Sequence, residues 1–529
     1  MRGPGLRARQ DPTDSWSLDP VVILLCDTEL SPRQSTSTQI GVPPRYCLMT
    51  YTRCRLELEG DMDRRDLIRG AALAGAVGAI YGCDGSTPTA SIAASARSDA
   101  ARPMPPRPAS EILRDAPPMN LERAREVMAA EGLDGLIVSN PVNVYHMTGH
   151  WPASARMGPH FRLSALLSRD DDQPIALVSP EFTYYYLLAD NGYRYPQAIY
   201  LFTGPADAEA FATASAAGYV GQPAAAESRM FVDRGFEPVS QREQARQAAV
   251  RSAITLTPPS ASREFALLRA VREMGLDRGR IATDDADVTA LLATAGIAAT
   301  LSWADDTLKR IRLIKSPREI ELMRLASAAN VAAADAAMSL AREGATLREL
   351  RTSFFSEAAR RGNRGVFMVL DGMAGEGVDA TLQDGQAFLF DAVSEGAGYH
   401  GDYARTVFVG EPAQTMRRVT QGIELGWAAV REALKPGLRL SEIPEIGRAA
   451  MRKAGYDFNV IFQPHSVGLY HGDAFGLGDH PLQEHMVLSV DCPIMETGVG
   501  GSAHLEDLML ITRDGAEPIH EVTPPVMVV

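Results

Sequence analysis

The segment FLFDAVSEGAGYHGDYARTVFVG, residues 388–410, decides how the second half of this chain folds. An apolar run ends in Asp391, a glycine-rich turn follows, and a second run of β-branched and aromatic residues carries Asp402. This pattern predicts a β-hairpin. Ionised carboxylates among buried apolar residues are costly unless they are paired, and a divalent cation relieves the repulsion between two of them. Taken alone, the segment also fits two solvated aspartates near a turn.

Three further polar residues follow the hairpin, each at a predicted strand end or turn. His465 lies in PHSVGLYHGD, Asp491 closes the apolar run of MVLSVDCP, and Glu506 precedes the apolar run of AHLEDLMLIT. The order Asp, Asp, His, acid, Glu resembles the pita-bread metallopeptidase family. That family includes methionine aminopeptidase, Xaa-Pro aminopeptidase, prolidase and the metal-free creatinase. The Arg-Thr pair that follows the second aspartate also fits the family pattern.

The resemblance implies a two-metal site held by Asp391, Asp402, His465, Asp491 and Glu506. Four carboxylates and one imidazole suit Mn²⁺, our first expectation, and also Co²⁺, Fe²⁺ or Zn²⁺. The resemblance implies a dinuclear metal-dependent hydrolase that acts as an Xaa-Pro aminopeptidase or dipeptidase. The beginning of the chain, described below, predicts that this hydrolase is exported. A metal-bridging hydroxide would attack the amide carbonyl, and Asp491 would move the proton as general base.

The resemblance also implies residues that contact the substrate. His471 is expected to bind substrate and assist catalysis, although it follows His465 by six residues where the family spacing is seven. A histidine in a surface loop is the alternative. His504 stands two residues before Glu506 and therefore on the same side of a strand, so we expect it to line the pocket. Arg405 is predicted to contact substrate.

The remaining conspicuous aromatic and imidazole side chains receive weaker assignments. We expect His400, inside the hairpin, to have a surface role beside a tyrosine. His480 and His485 flank a proline in a polar loop and are expected to be surface residues. Trp151 is expected either to wall an active site, within the chain or across a dimer, or to pack at the surface.

Two departures from the family pattern keep the function open. The family usually has Glu where this chain has Asp491, which is one methylene shorter and is followed by Cys492. The family's upstream proton-handling histidine should fall within residues 368–379, and that segment contains none. Alternatives to a peptidase are therefore a non-peptide C–N hydrolase or lyase on the same fold, as in creatinase, and a non-catalytic binding protein with a degenerate site.

The segment LERAREVMAAEGLDGLIVSNPVNVYHMTGH, residues 121–150, opens the first half of the folded chain. It predicts an amphipathic helix that stops at Gly132, a buried strand, and then a second helix or strand. This resembles the N-terminal domain of the creatinase and Xaa-Pro peptidase branch. We expect an α/β creatinase-like domain over residues 119–300 and an α+β pita-bread catalytic domain over residues 301–529. Ser316 and Pro317 predict the start of the first long catalytic-domain helix.

The beginning of the chain reads as a targeting segment. Residues 62–83, MDRRDLIRGAALAGAVGAIYGC, look like a twin-arginine signal that ends in a lipoprotein box with Cys83 as the lipidation site. We therefore expect export by the twin-arginine route to the periplasm, with a lipid anchor on the membrane. Residues 1–61 are predicted to be a non-native upstream extension, and residues 84–118 a disordered tether. A genuine extension and cleavage without lipid are the alternatives.

Composition limits the class of partner. The chain has 529 residues, 45% of them hydrophobic, and a formal net charge of −14, which argues against nucleic acid. None of its five cysteines forms a CxxC pair, and no disulfide framework is readable. The expected partners are a peptide or small amide substrate and, by the family resemblance, a second copy in a homodimer.

Overall fold

The computed structural model describes residues 107–151, 162–204, 208–216, 238–372, 375, 377–495 and 501–529. The predicted extension, the signal with Cys83 and most of the predicted tether lie outside these residues. The tether prediction runs too far, because the short helix α1 (Ala109–Ile112) leads into the fold and Ile112 and Leu113 are buried. Within the described residues, no helix is long and apolar enough to cross a membrane.

The first domain is a six-stranded mixed sheet with helices around it. The strand order is β4-β3-β2-β1-β5-β6, with β1–β2 and β2–β3 antiparallel and the other three pairs parallel. Its strands are β1 (Gly135–Val138), β2 (Ser164–Ser168), β3 (Ile175–Pro180), β4 (Gln197–Phe202), β5 (Arg280–Thr283) and β6 (Thr300–Trp303). The sheet thus continues past the predicted boundary at residue 300.

The helices of this domain follow the predicted pattern. They are α2 (Leu121–Glu131), α3 (Pro141–Thr148), α4 (Glu181–Thr183, continued by a π-helical turn, Tyr184–Leu188), α5 (Ala208–Ala216), α6 (Gln241–Leu256), α7 (Arg263–Glu273) and α8 (Ala286–Thr294). Asn120 caps α2 by accepting from the backbone of Arg123, and Gly132 ends it at a φ of 67°. The segment that could be helix or strand is the helix α3, since Asn140 caps it and Pro141 occupies its first turn.

The two domains are joined by α9 (Asp305–Leu313) and the start of α10 (Pro317–Met338). Ser316 and Glu319 form a capping box, in which each side chain accepts a hydrogen bond from the other residue's backbone N–H. With proline at the first position, the predicted helix start is confirmed. One face of α10 packs against the hairpin, where Asn330 donates to the backbone carbonyl of Ala392.

The second domain contains two sheets that meet at one end. One has the order β12-β9-β8-β7 with β15 added parallel to β9, and the other has the order β10-β11-β13-β14. The strands are β7 (Arg364–Leu370), β8 (Ala387–Gly396), β9 (Tyr399–Phe408), β10 (Gln463–Ser466), β11 (Val487–Asp491), β12 (Glu506–Asp507), β13 (Met509–Ile511), β14 (Ala516–Pro518) and β15 (Val526–Val528). The helices are α11 (Leu347–Arg360), α12 (Gln414–Ala433) and α13 (Ile443–Lys453).

The predicted hairpin is formed by β8 and β9, which pair in an unbroken register. Ala397 and Gly398 connect the strands with φ values of 48° and 84°, as a two-residue turn with two positive φ angles requires. A Cβ at Gly398 would lie 2.4 Å from the Tyr145 ring of the first domain, so the turn also needs glycine for close contact. The hairpin is therefore both a core element and a contact to the first domain.

Candidate metal centre

Three of the predicted ligands lie side by side on neighbouring strands of the second domain's sheet β12-β9-β8-β7. Ala404 on β9 is paired with Asp391 on one side and with Glu506 on the other. Asp402 precedes Ala404 by two residues, and side chains two apart on a strand point to the same face. The register alone therefore places these three carboxylates together on one face of the sheet.

The second sheet supplies the other two predicted ligands. His465 on β10 and Asp491 at the end of β11 extend toward the same patch. His465 Nε2 lies 3.6 Å from Asp402 Oδ2, 3.4 Å from Asp491 Oδ1 and 3.5 Å from Glu506 Oε1. All five residues predicted as ligands therefore converge where the two sheets meet.

The converging atoms are close enough to hold cations. Three groups have ligand atoms that lie within 4.8 Å of one another. They are Asp402 with His465 and His471, Asp391 with His504 and Glu506, and His465 with Asp491 and Glu506. Because His465 and Glu506 each belong to two of the groups, the three groups describe a single centre rather than separate sites.

The electrostatics of this centre fit a missing positive charge. Asp391 Oδ1, Asp402 Oδ1 and His465 Nε2 are buried and have no hydrogen-bond partner in the described part of the chain. Burial and the neighbouring carboxylates raise the pKa of Asp391 and the pKa of Glu506 well above their ordinary values. Burial lowers the pKa of His465, but the surrounding carboxylates outweigh it and raise that pKa. Divalent cations bound to these oxygens and to the imidazole would remove this imbalance.

Asp491 differs from the other ligands because its side chain is 31% exposed. Burial raises its pKa, but the neighbouring His465, whose Nε2 lies 3.4 Å from Asp491 Oδ1, outweighs burial and lowers the pKa below the ordinary value. Asp491 is therefore an ionised carboxylate at the opening of the centre. Glu506, in contrast, is deeply buried and accepts a hydrogen bond from Ser489 Oγ.

The two predicted pocket histidines lie beside the carboxylates. His471 Nε2 is 3.1 Å from Asp402 Oδ2, and its side chain is 35% exposed, as a substrate contact requires. His504 is buried, with Nε2 3.5 Å from Glu506 Oε2, and burial lowers its pKa to about 4. At neutral pH His504 is thus a neutral imidazole next to a ligand carboxylate.

The predicted substrate contact of Arg405 is wrong. Arg405 lies one residue beyond Ala404 and therefore on the opposite face of β9, where it is 1% exposed. Its guanidinium donates to Asp507, to the carbonyl oxygens of Ala404 and Glu506, and to Thr523 and Pro524. These bonds use its donors inside the fold, so it braces the strand ends behind the centre.

One other assignment changes, and one of the two alternatives for Trp151 gains support. His400 is not a surface residue: it is buried, and its ring Nδ1 lies 3.1 Å from the carbonyl oxygen of Gly468. Trp151 packs edge-on against Tyr145 and lines a cavity of about 590 Å³ that includes none of the candidate ligands. His485 is 45% exposed, in agreement with its predicted surface position.

Two residues near the centre were not predicted. Ser489, two residues before Asp491 on β11, donates a hydrogen bond from its hydroxyl group to Glu506. Phe367 on β7 packs edge-on against His471, with 4.9 Å between ring centroids. Phe367 directly precedes residues 368–379, the segment that lacks the expected histidine. Its side chain lies on the opposite face of the strand from the buried Met368, and this alternation was the sequence pattern that could have indicated its position.

Comparisons with known proteins find similar domains and a similar fold. Residues 321–513 match the profile "Metallopeptidase family M24", and residues 120–272 match "Creatinase/Prolidase N-terminal domain". The chain is therefore similar to M24 metallopeptidases over residues 321–513 and to the N-terminal domain of creatinase and prolidase over residues 120–272. Its fold is also that of a dipeptidase from Pyrococcus horikoshii (TM-score 0.55, 16% identity, 78% of this chain and 100% of that chain). An X-Pro aminopeptidase from Thermotoga maritima aligns similarly (TM-score 0.54, 16% identity, 78% and 100%).

The sequence relatives of this chain are distant. The Xaa-Pro dipeptidase of Pyrococcus furiosus is 26% identical over 230 residues, 40% of this chain and 64% of the relative. The Xaa-Pro dipeptidase of Lactobacillus delbrueckii subsp. lactis is 32% identical over 143 residues, 26% of this chain and 38% of the relative. The chain thus spans less than two thirds of the length of the curated relatives it matches.

Proposed function

We propose that the protein is a dinuclear metal-dependent aminopeptidase or dipeptidase that acts on Xaa-Pro peptides. The observation that carries the proposal is the group of buried carboxylates with unpartnered oxygen atoms beside His465. Buried carboxylates are costly unless they are paired, protonated or bound to a metal, and bound cations would compensate several of them at once. The M24 profile and relatives named Xaa-Pro dipeptidase support a peptide as the substrate.

Asp391, Asp402, His465, Asp491 and Glu506 would hold two divalent cations, Mn²⁺ foremost. When bound, the cations would supply Lewis acidity to the scissile carbonyl and lower the pKa of water near neutral pH. Ser489 fixes one oxygen of Glu506 by its hydrogen bond, and His504 lies against the other. These contacts orient the carboxylate before any ligand arrives.

The protein's own groups would handle the proton and the substrate. Asp491 is ionised and reachable from the pocket, so it would accept a proton from the attacking water. His471 is half-exposed beside Asp402 and would donate a hydrogen bond to the carbonyl oxygen as negative charge develops there. His504 is too deeply buried to move a proton to solvent, so we assign it to orienting Glu506.

The test is turnover of a matched peptide series by protein loaded with Mn²⁺. Dipeptides Xaa-Pro, the same peptides with Ala in place of Pro, and tripeptides Xaa-Pro-Xaa separate a dipeptidase from an aminopeptidase. We expect Mn²⁺-dependent release of the N-terminal residue and its loss in D402A. Metal-independent turnover, or turnover unchanged in D402A, would refute the proposal.

One observation favours a second candidate, a non-peptide C–N hydrolase or lyase. Within the described residues of β7 and the segment that follows it, the side chain that contacts His471 is Phe367 and not a histidine. A phenyl edge cannot transfer a proton, so proton transfer to an amine leaving group would need another donor. Turnover of guanidino compounds or small amides, with no turnover of any peptide in the series, would select this candidate.

We also propose export by the twin-arginine route to the periplasm and lipid attachment at Cys83. Support comes from the sequence of residues 62–83 alone. Mass spectrometry of the protein from its native host should find a diacylglyceryl group on Cys83 and no peptide from residues 1–61. A C83A variant that remains membrane-bound would contradict the anchor.

A further inference from the structure

The loop that carries His471 is held by a buried ion cluster from outside the metal centre. Asp473, two residues after His471, is 1% exposed. Its Oδ2 accepts a hydrogen bond of 2.6 Å from Lys315 Nζ, and its Oδ1 lies 2.9 Å from Arg312 Nε. Arg312 also donates to the backbone carbonyl of Asp473, so the guanidinium holds both the side chain and the main chain.

The two cations belong to the connection between the domains. Arg312 lies in the last turn of α9, and Lys315 lies between α9 and α10. Lys315 Nζ also donates to the carbonyl oxygen of Arg312, so the two cationic residues are hydrogen-bonded to each other within the connection. Both residues are almost completely buried, at 4% and 1% exposure. A long cationic side chain at such depth is rare unless it is paired, so the cluster is a defined contact and not a solvated pair.

The cluster reaches the first domain through one side chain. Arg312 donates to Asn143 Oδ1 on α3, and Asn143 Nδ2 donates to Asp284 at the end of β5. Tyr470, adjacent to His471, donates to Asn140 and has the Arg312 guanidinium over its ring at 5.4 Å. Contacts therefore run without a gap from the first domain's sheet to the residues on both sides of His471.

Gly468 gives independent evidence that the loop is built around this cluster. A Cβ at this position would lie 2.4 Å from Asp473 Oδ2 and 2.6 Å from Lys315 Nζ. The loop backbone is further fixed because Asp473 N–H donates to Ser466, next to the ligand His465. Charge balance agrees: burial raises the pKa of Asp473, but Lys315 and Arg312 outweigh it and lower that pKa.

We propose that Arg312, Lys315 and Asp473 are positioning residues that hold His471 against Asp402 and make its position depend on the first domain. None of the three touches the candidate ligands, so they act through the loop. Only the catalytic meaning of His471 rests on the proposed function. The position of His471 can be measured in metal-free protein, so a failure of this inference is distinguishable from a failure of the proposed activity.

The first experiment uses R312M and, as a matched control, R263M in full-length metal-free protein. Arg263 forms a mostly buried ion pair with Asp285 at 2.9 Å inside the first domain, far along the chain from His471. Hydrogen exchange of residues 467–475 and modification of His471 by diethylpyrocarbonate, read by peptide mass spectrometry, report the loop. We expect both rates to rise about tenfold or more in R312M and to stay at wild-type values in R263M.

Two further variants keep the inference testable. R312K keeps the charge but loses the bond to Asn143. N143A removes that bond and the bond from Asn143 to Asp284 but leaves Arg312 on Asp473. Each variant should raise both rates less than R312M does. In Mn²⁺-loaded protein, kcat should fall in the same order while KM changes little, because the substrate still binds. Unchanged loop rates in R312M, or equal changes in R263M, would overturn the inference. If R312M does not fold, unchanged rates in N143A would overturn it.

Discussion

Glu506 and Asp507 are consecutive carboxylates on β12, and both are almost fully buried, at 1% and 2% exposure. They point to opposite faces of the sheet. Asp507 accepts a 2.6 Å hydrogen bond from Arg405 and is also approached by Trp427 Nε1, so its charge is matched. Glu506 faces Asp391, Asp402 and Asp491, and their charges add to the effect of burial in raising its pKa.

This difference shows that burial does not by itself mark a functional carboxylate. Asp507 has a counter-charge within the fold and needs nothing more. Glu506 has no lysine or arginine partner among the described residues, and its neighbour His465 is shared with Asp402 and Asp491. A cluster in which buried carboxylates outnumber the cations is therefore the physical signature of the candidate metal centre.

The largest effect should follow removal of the unmatched charge. E506Q keeps the shape of the side chain but removes an anionic ligand, so we expect Mn²⁺-dependent kcat/KM to fall by about 10³-fold or more. Metal stoichiometry, measured by mass spectrometry after dialysis, should fall with it. E484Q changes an exposed carboxylate and should leave both unchanged. Full activity in E506Q would remove Glu506 from the centre.

The second prediction concerns the free energy of unfolding, for which we expect the larger effect at Asp507 and not at Glu506. D507N leaves the Arg405 guanidinium buried without its anion, which should cost about 3–5 kcal/mol in the free energy of unfolding. E506Q in metal-free protein should be no less stable than wild type, because it relieves repulsion. Urea unfolding measures the free energy of unfolding of both variants. Equal destabilisation would show that Asp507 and Glu506 do not differ in how the fold compensates their charges.

The third prediction concerns pH. A folded-state pKa above the ordinary value of 4.5 means that Glu506 supports folding below that pH and that this support is lost as pH rises through the folded pKa. The metal-free wild type should therefore lose stability relative to E506Q as the pH rises from about 4.5 toward neutrality. Thermal unfolding across this range tests the sign, and added Mn²⁺ should restore only the wild type. A stability difference that does not change with pH would contradict the raised pKa.

The smallest effect is expected at the exposed edge of the centre. Asp491 is partly exposed, so the longer side chain of D491E has room to move outward. We expect kcat/KM to stay within about tenfold of wild type, while D491A loses far more. Loss of activity in D491E comparable to D491A would show that the shorter ligand is required.

Much of the centre could be predicted from local sequence. An apolar run, a glycine turn and a second apolar run are sufficient for the hairpin. The resemblance of the ligand order to a known family then identified the five residues that converge. Arg405 and His400 were misassigned for the same reason. Alternation along β9 tells which residues share a face, but not which face has the metal and which has the core.

Features that depend on residues near one another could be derived from the sequence alone: the capping box at Ser316, the hairpin, and the candidate ligands as residue types in order. The tertiary structure alone decided which charges are compensated. Arg405 meets Asp507 across 102 positions of the chain, and Lys315 meets Asp473 across 158. Such pairings depend on how the two domains and the two sheets pack, because Coulomb energy depends on distance in space and not on separation in sequence.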